Sequence, residues 1–175
     1  SVPIIKQIVA AYNIPILEVP GFEADDVIGT ISKLAEQSDF NVYMLTPDKD
    51  YAQLVSDKVF IYRPRHGGGY ETLDVQGVKD KWGISSPAQV IDLLGLMGDS
   101  SDNIPGCPGV GEKTAAKLLA QYGSAQAIID HCGEIKGKTG TNIAESVDII
   151  EAGRKVATIV RDLDIDIDFD NVEFP

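Results

Sequence analysis

The sequence predicts an α/β fold in two parts, a small parallel sheet with flanking helices over residues 1–70 and a helical domain over residues 71–175. Two observations carry that expectation. Short apolar runs alternate with segments of helical periodicity up to residue 62, and helical periodicity dominates from about residue 87 to residue 158.

The elements follow in chain order. Residues 2–12 place Ile4, Ile5, Ile8, Val9 and Tyr12 on one helical stripe, which suits a helix with one buried face. Residues 15–19, bounded by Pro20 and Gly21, read as a buried strand, and residues 24–35 return to helical spacing through Val27, Ile28, Ile31 and Leu34. Residues 42–46 form a second strand, followed by a helical stretch over 51–55. Residues 59–62 form a third strand, and Gly67, Gly68 and Gly69 turn it into a β-hairpin onto residues 70–73. Helices are then expected over 87–97, 112–122, 125–131 and, as one long element, 141–158. Residues 162–170 alternate strictly, with Asp on one face and Leu, Ile and Phe on the other. This pattern predicts a half-exposed edge strand whose charges discourage pairing with other chains.

Composition narrows the function. The 175 residues carry a formal charge of −12, and no run approaches the roughly 20 apolar residues of a membrane span, which excludes a transmembrane protein. The opening residues lack a basic region followed by an apolar core, so no secretory signal is visible. Two cysteines, Cys107 and Cys132, make no disulfide framework and fit a reducing cytoplasm. Net acidity argues against a protein that coats nucleic acid non-specifically. Yet the charge is unevenly spread: residues 103–161 hold seven basic against six acidic side chains, while residues 1–62 hold four against nine.

Three acidic clusters stand out. Glu23-Ala24-Asp25-Asp26 follows the first predicted strand and starts a helix, where the helix dipole alone would favour acids. Asp48-Lys49-Asp50 stands in the same place after the next strand. Open α/β sheets gather their sites at the carboxyl ends of strands, so the two clusters should converge on one crevice. The third, Gly98-Asp99-Ser100-Ser101-Asp102-Asn103, spaces its carboxylates at i and i+3. Glu23, Asp25, Asp26, Asp48, Asp50, Asp99 and Asp102 at close range would repel one another, so a shared site demands divalent cations. All-oxygen ligands fit Mg²⁺ or Mn²⁺, and two such ions could activate a water and stabilise the leaving oxygen of a phosphodiester. Calcium loops fail: Ala52 and Gln53 replace a ligand and a glycine after Asp48, and Phe169 replaces the glycine in the tail.

The segment from Pro105 through Gly106, Pro108, Gly109, Val110 and Gly111 to Lys113, Thr114 and Lys117 is rich in glycine and runs into a helix. It is not a nucleotide-binding P-loop, because Glu112 occupies the lysine position, and no strand or third glycine supports a dinucleotide fingerprint. What remains is exposed backbone N–H groups, a helix start and two lysines. These are the means by which a helix-hairpin-helix grips the backbone of duplex DNA without reading sequence.

Taken together, Gly21-Phe-Glu-Ala-Asp-Asp26, Thr46-Pro-Asp-Lys-Asp-Tyr-Ala-Gln-Leu54, Gly98-Asp-Ser-Ser-Asp-Asn-Ile-Pro-Gly106 and Pro108-Gly-Val-Gly-Glu-Lys-Thr-Ala115 resemble the 5′-nuclease domains of bacterial DNA polymerases I, which belong to the flap endonuclease family. The resemblance covers nearly the whole chain. It implies a PIN-like α/β sheet with a SAM-like helix-hairpin-helix domain. The implied activity is a Mg²⁺- or Mn²⁺-dependent 5′-3′ exonuclease and flap endonuclease acting on duplex and 5′-flap DNA in cytoplasmic replication and repair. Matched position by position, Glu23, Asp25, Asp26, Asp48, Asp50, Asp99 and Asp102 correspond to the family's metal-binding carboxylates. Gly109, Val110, Gly111, Lys113, Thr114 and Lys117 correspond to its DNA-binding hairpin, which also holds a K⁺ ion through backbone carbonyls. The family's domain opens with two further strands, each ending in a metal-binding Asp, and a helical arch, none of which precedes residue 1. The resemblance therefore implies the C-terminal part of a nuclease domain, linked in its parent to the missing N-terminal segment and to a polymerase domain, and a weak or inactive catalyst in isolation. The competing expectation is a non-catalytic DNA-binding module in which only the hairpin functions, with a nucleotide hydrolase as a weaker third. His66 and His131 stand apart from the clusters and read as surface residues, Arg63 and Arg65 suit either DNA contact or a solvated loop, and Trp82 reads as core.

Overall fold

The computed structural model describes residues 2–171; Ser1 and residues 172–175, the last of the expected helical domain, lie outside it. Helix α1 (Val2–Ala11) forms where the apolar spacing predicts it but buries none of its residues, so the expected buried stripe is not realised. Periodicity specifies a helix without specifying what covers it, and Ile4, Ile5 and Ile8 are exposed. The strand expected over 15–19 is also absent. That stretch runs between Pro15 and Pro20, which have no N–H to give to a ladder, and it stays irregular.

Helix α2 (Ala24–Gln37) buries Val27, Gly29, Thr30, Ser32 and Ala35. Among the described residues the sheet has three strands in the order β1-β2-β3, namely β1 (Val42–Leu45), β2 (Val59–Pro64) and β3 (Tyr70–Leu73). Strands β1 and β2 pair in parallel with Val42 opposite Val59, as the alternation of strand and helix predicts. Strand β3 returns antiparallel through the glycine turn, with Pro64 opposite Tyr70, so the sheet is mixed. The helical stretch after β1 is a single 3₁₀ turn, Asp50–Leu54, displaced from the expected 51–55. Asp48 Oδ1 accepts the Asp50 N–H at 2.9 Å and Lys49 O accepts the Ala52 N–H at 3.0 Å, which tightens the winding from its start.

Helix α3 (Val75–Trp82) was not anticipated, although its caps are orthodox. Asp74 Oδ1 accepts the Gly77 N–H at 2.7 Å, and Gly83 closes the helix with φ 65°. The helical half continues with α4 (Gln89–Met97), α5 (Glu112–Tyr122), α6 (Ala125–Asp130), α7 (Lys138–Glu145) and α8 (Val147–Ala157). The single long helix expected over 141–158 is therefore two. Ser146, which is buried, leaves helical geometry at φ −111°, ψ 15° and donates its N–H to Ile143 O, ending α7 and starting α8. Helix α4 is the spine of the molecule, with Val90, Leu93, Leu94 and Leu96 buried, and Asp92 pairing with Arg154 of α8 at 2.7 Å. Met44 and Ile61 of the sheet, Trp82 of α3, Leu119 of α5, Ile143 of α7 and Ile150 of α8 belong to one continuous core.

The tail corrects the last expectation. Residues 162–170 form no strand, yet they obey the alternation: Leu163, Ile165 and Ile167 are half-buried while Asp162, Asp164 and Asp166 are exposed. The N–H groups that could have opened a ladder are spent on side chains instead, Val160 on Asp26 Oδ1 at 2.9 Å and Leu163 on Thr30 Oγ1 at 3.2 Å. Residues 157–163 thus form a strap across α2. It lies so close that a Cβ on Gly29 would stand 2.6 Å from Ile159 Cγ2. Among the described residues no helix is long and apolar enough to cross a membrane.

Candidate functional site

The three acidic clusters converge. A cleft of about 310 Å³ is lined by Glu23, Asp25 and Asp26 on one wall, by Asp50 and Asp102 on the other, and by residues 156–159 at the strap. The acidic start of α2 supplies the first wall. The 3₁₀ turn after β1 supplies Asp50, and the loop after α4 supplies Asp99 and Asp102. That loop is closed by paired backbone bonds of 2.8 Å between Asp99 and Ile104 and by a Cys107 N–H to Leu96 O bond of 2.8 Å. The closure leaves no room for side chains: a Cβ on Gly106, whose φ is 67°, would stand 2.4 Å from the Gly98 nitrogen.

Oxygens of Asp50, Asp99 and Asp102 lie within 4.8 Å of one another. Asp50 is 7% exposed, and its Oδ1 is buried without a hydrogen-bond partner. Burial and the carboxylates of Asp48, Asp102 and Asp99 push its pKa up to about 7. Burial also raises the Asp102 carboxyl, with Asp99 adding to it. Asp99 behaves oppositely. Burial opposes its ionisation, but the Lys49 ammonium at 2.5 Å and two bonds from Ser101, from N–H at 3.0 Å and from Oγ at 2.5 Å, outweigh it and hold the pKa at about 2. The Tyr51 hydroxyl beside the cleft is pushed up to about 12 by burial, then by Asp25, Asp48, Asp26 and Asp50. An oxygen-only donor set around an orphaned buried carboxylate fits a hard divalent cation.

Not every acidic residue is equally available. Asp26 accepts from Val160 N–H at 2.9 Å and from Glu23 N–H at 3.4 Å, so it braces the strap as well as facing the cleft. Asp48 is exposed and caps the 3₁₀ turn. Residues other than the acids matter too. Gln53 donates to Ala157 O at 2.7 Å and accepts from Ile159 N–H at 3.0 Å, fastening the strap to the turn that bears Asp50. Lys49, Ser101 and Gln53 all stand inside the motifs quoted above, but nothing local in the sequence ties Gln53 to a partner more than a hundred residues on.

The glycine hairpin lies between α4 and α5. Val110 is buried, Gly109 and Gly111 are exposed, and Gly111 caps α5, whose first turns present Lys113, Thr114 and Lys117. Asn142 Nδ2 of α7 donates to Pro108 O at 2.8 Å and holds the turn from behind. His66 and His131 are exposed and Trp82 is core, as expected.

The chain matches two family profiles, the N-terminal resolvase-like domain of 5′-3′ exonucleases over residues 1–83 and their C-terminal SAM fold over residues 85–175. The chain belongs to the 5′-3′ exonuclease family. Relatives include the DNA polymerase I of Bacillus subtilis, 41% identical over 99% of this chain and 20% of its own length. That of Bacillus caldotenax is 38% identical over 98% and 20%, and the thermostable DNA polymerase I of Thermus thermophilus is 37% identical over 95% and 19%. The chain thus spans about one fifth of these relatives. Bacteriophage T5 5′-exonuclease, solved with divalent metal ions (zinc), shares the fold with a TM-score of 0.77 at 23% identity, over 89% of this chain and 59% of that one. The T5 flap endonuclease in a pseudo-enzyme-product complex with DNA and metal ions gives 0.74 at 24% identity, over 88% and 55%. For this 5′-3′ exonuclease family member, the α/β sheet and helical SAM fold expected from sequence are both present.

Proposed function

We propose that this chain is the DNA-hydrolysing part of a 5′-3′ exonuclease and flap endonuclease. In this reading the carboxylate cleft cleaves phosphodiesters at 5′ ends and flaps with two Mg²⁺ or Mn²⁺ ions, and the hairpin holds the duplex. One observation carries the reading: the buried Asp50 carboxylate, its Oδ1 without a partner, gathered with Asp99 and Asp102 within 4.8 Å. Asp50, Asp99 and Asp102 would hold one ion, with Asp48 beside them, and Glu23, Asp25 and Asp26 on the facing wall would serve the second. When bound, the ions supply an activated water and neutralise the leaving oxygen.

The chain's own residues do the remainder. Lys49 and Ser101 keep Asp99 ionised and oriented. The Val160 N–H fixes one oxygen of Asp26. Backbone N–H groups at Gly109, Val110 and Gly111, with Lys113, Thr114 and Lys117, grip phosphates of the duplex, and hairpin carbonyls would hold K⁺. Labour divides near residue 70: residues 1–70 carry Glu23 to Asp50, and residues 71–175 carry the Asp99–Asp102 loop and the hairpin. We propose further that the whole protein joins this nuclease part to a polymerase and works in cytoplasmic replication and repair, and that the isolated chain turns over slowly.

Two readouts test this. Mn²⁺ binding followed by electron paramagnetic resonance should be lost in Asp50→Asn, and equal binding by both proteins overturns the metal assignment. Cleavage of a 5′-labelled flap duplex should fall roughly a hundredfold or more in Asp48→Asn and Asp99→Asn. Duplex binding in chelator that survives both substitutions belongs to the hairpin; cleavage that survives them refutes the mechanism.

A further inference from the structure

Beside the hairpin lies a second basic feature. A cleft of about 430 Å³ separates α5 from the start of α7, with Thr114, Lys117 and Gln121 on one side and Ile135, Lys136 and Thr139 on the other. Lys113 stands one turn before Lys117, about 6 Å along the helix axis, and Lys138 follows Lys136 across Gly137. All four lysines are exposed. Among the described residues none of the four forms an ion pair, in a chain of net charge −12. Glu134 is the one acid at the cleft wall. The two sides are also held in one frame, because Asn142 of α7 bonds to Pro108 at the hairpin turn. A rigid strip of uncompensated ammonium groups on an acidic protein is complementary to a polyanion.

We infer that the α5–α7 cleft is a docking surface for the sugar–phosphate backbone of duplex DNA, with Lys136 and Lys138 extending the grip of Lys113 and Lys117 beyond the hairpin. The inference rests on the nuclease reading above and adds to it a second stretch of the same duplex. Phosphates rather than bases are the target. The aromatic ring at the cleft, Tyr122, is already stacked on His131 at 5.7 Å, and flexible lysines present point charges, not planar donors for base edges. Contact of this kind is independent of sequence and sensitive to salt.

The test is fluorescence anisotropy of a labelled duplex of about 24 base pairs in chelator, titrated with the wild-type chain, Lys136→Ala/Lys138→Ala and Lys113→Ala/Lys117→Ala at several salt concentrations. Removing Lys136 and Lys138 should weaken binding roughly tenfold and reduce the slope of log K against log salt by about 1.8, the release of two counterions. These exposed substitutions leave the core untouched, and circular dichroism verifies it. Wild-type affinity and slope in that variant, with binding reduced in Lys113→Ala/Lys117→Ala, overturn the cleft while leaving the hairpin and the nuclease reading intact. Duplex binding absent from the wild-type chain overturns both inferences about DNA, and the Mn²⁺ measurement then judges the carboxylate site separately. Tighter binding of a polyglutamate peptide than of duplex, lost with the same lysines, assigns the strip to an acidic protein partner instead.

Discussion

Asp50 concentrates the chemistry of the cleft in one side chain. Its folded pKa of about 7 stands well above that of a solvated aspartate, so the folded chain keeps a proton that the unfolded chain has released. The stability this group contributes is complete below about pH 4, declines as the pH rises, and is gone above about pH 7. Metal-free protein should therefore melt higher at pH 5 than at pH 8 on this account. Asp50→Asn should flatten that dependence, raise stability at pH 8 in chelator by on the order of 2 kcal/mol, and abolish stabilisation by Mg²⁺. Thermal melts in chelator and in Mg²⁺ check it, and a variant less stable than wild type at pH 8 in chelator would contradict the assignment. Asp99 runs the other way: its depressed pKa gives stability that is present above about pH 4 and disappears as the pH falls toward 2. The carboxylates themselves stood out in the sequence as three acidic clusters, but the strand-end argument holds only for Asp48 and Asp50 after β1, since Glu23–Asp26 follow an irregular segment and Asp99 and Asp102 follow α4. Which of them is orphaned and which is paired was not legible, since Lys49 could have reached toward any of its acidic neighbours.

Elements with a long, sustained period were legible. Helices α2, α4 and α5 each repeat their apolar residues over enough turns to exclude a strand. Errors gathered where a short segment depends on distant partners. Residues 15–19 look apolar enough for a strand but are framed by prolines, and α3 spans only eight residues, too few to declare a period. The loop after α4 is the element most exposed to a single change. Its closure depends on Gly106 lying against the backbone of Met97 and Gly98 with φ 67°. Gly106→Ala should cost about 3 kcal/mol or more through backbone clash and left-handed strain, and it should displace Asp99 and Asp102 together. Denaturant unfolding measures the first effect and Mn²⁺ affinity the second; a stable variant with unchanged affinity would show that the loop tolerates opening.

At the scale of the whole molecule, α2 and the 3₁₀ turn are joined at the site to the strap that follows α8. Gln53 binds both Ala157 O and Ile159 N–H, and Asp26 receives the next N–H along the strap. Gln53→Leu keeps the volume but strands two backbone groups, so a loss of about 2 kcal/mol is expected, together with weaker Mn²⁺ binding on the Glu23–Asp26 wall. Equal melting temperatures for variant and wild type would show that the strap does not need this amide. No local sequence signal could have announced this joint.

The strap has a consequence in time. The bond between Asp26 and Val160 spans 134 residues, and that between Gln53 and Ile159 spans 106. During synthesis at about 5–20 residues per second, the acidic wall near residue 23 waits several seconds or longer for the segment that braces it. Until residue 163 has emerged from the ribosome, the nascent chain carries its carboxylates without their brace. Completion of the cleft is therefore a late step of folding, delayed by the closure of loops of 106 and 134 residues.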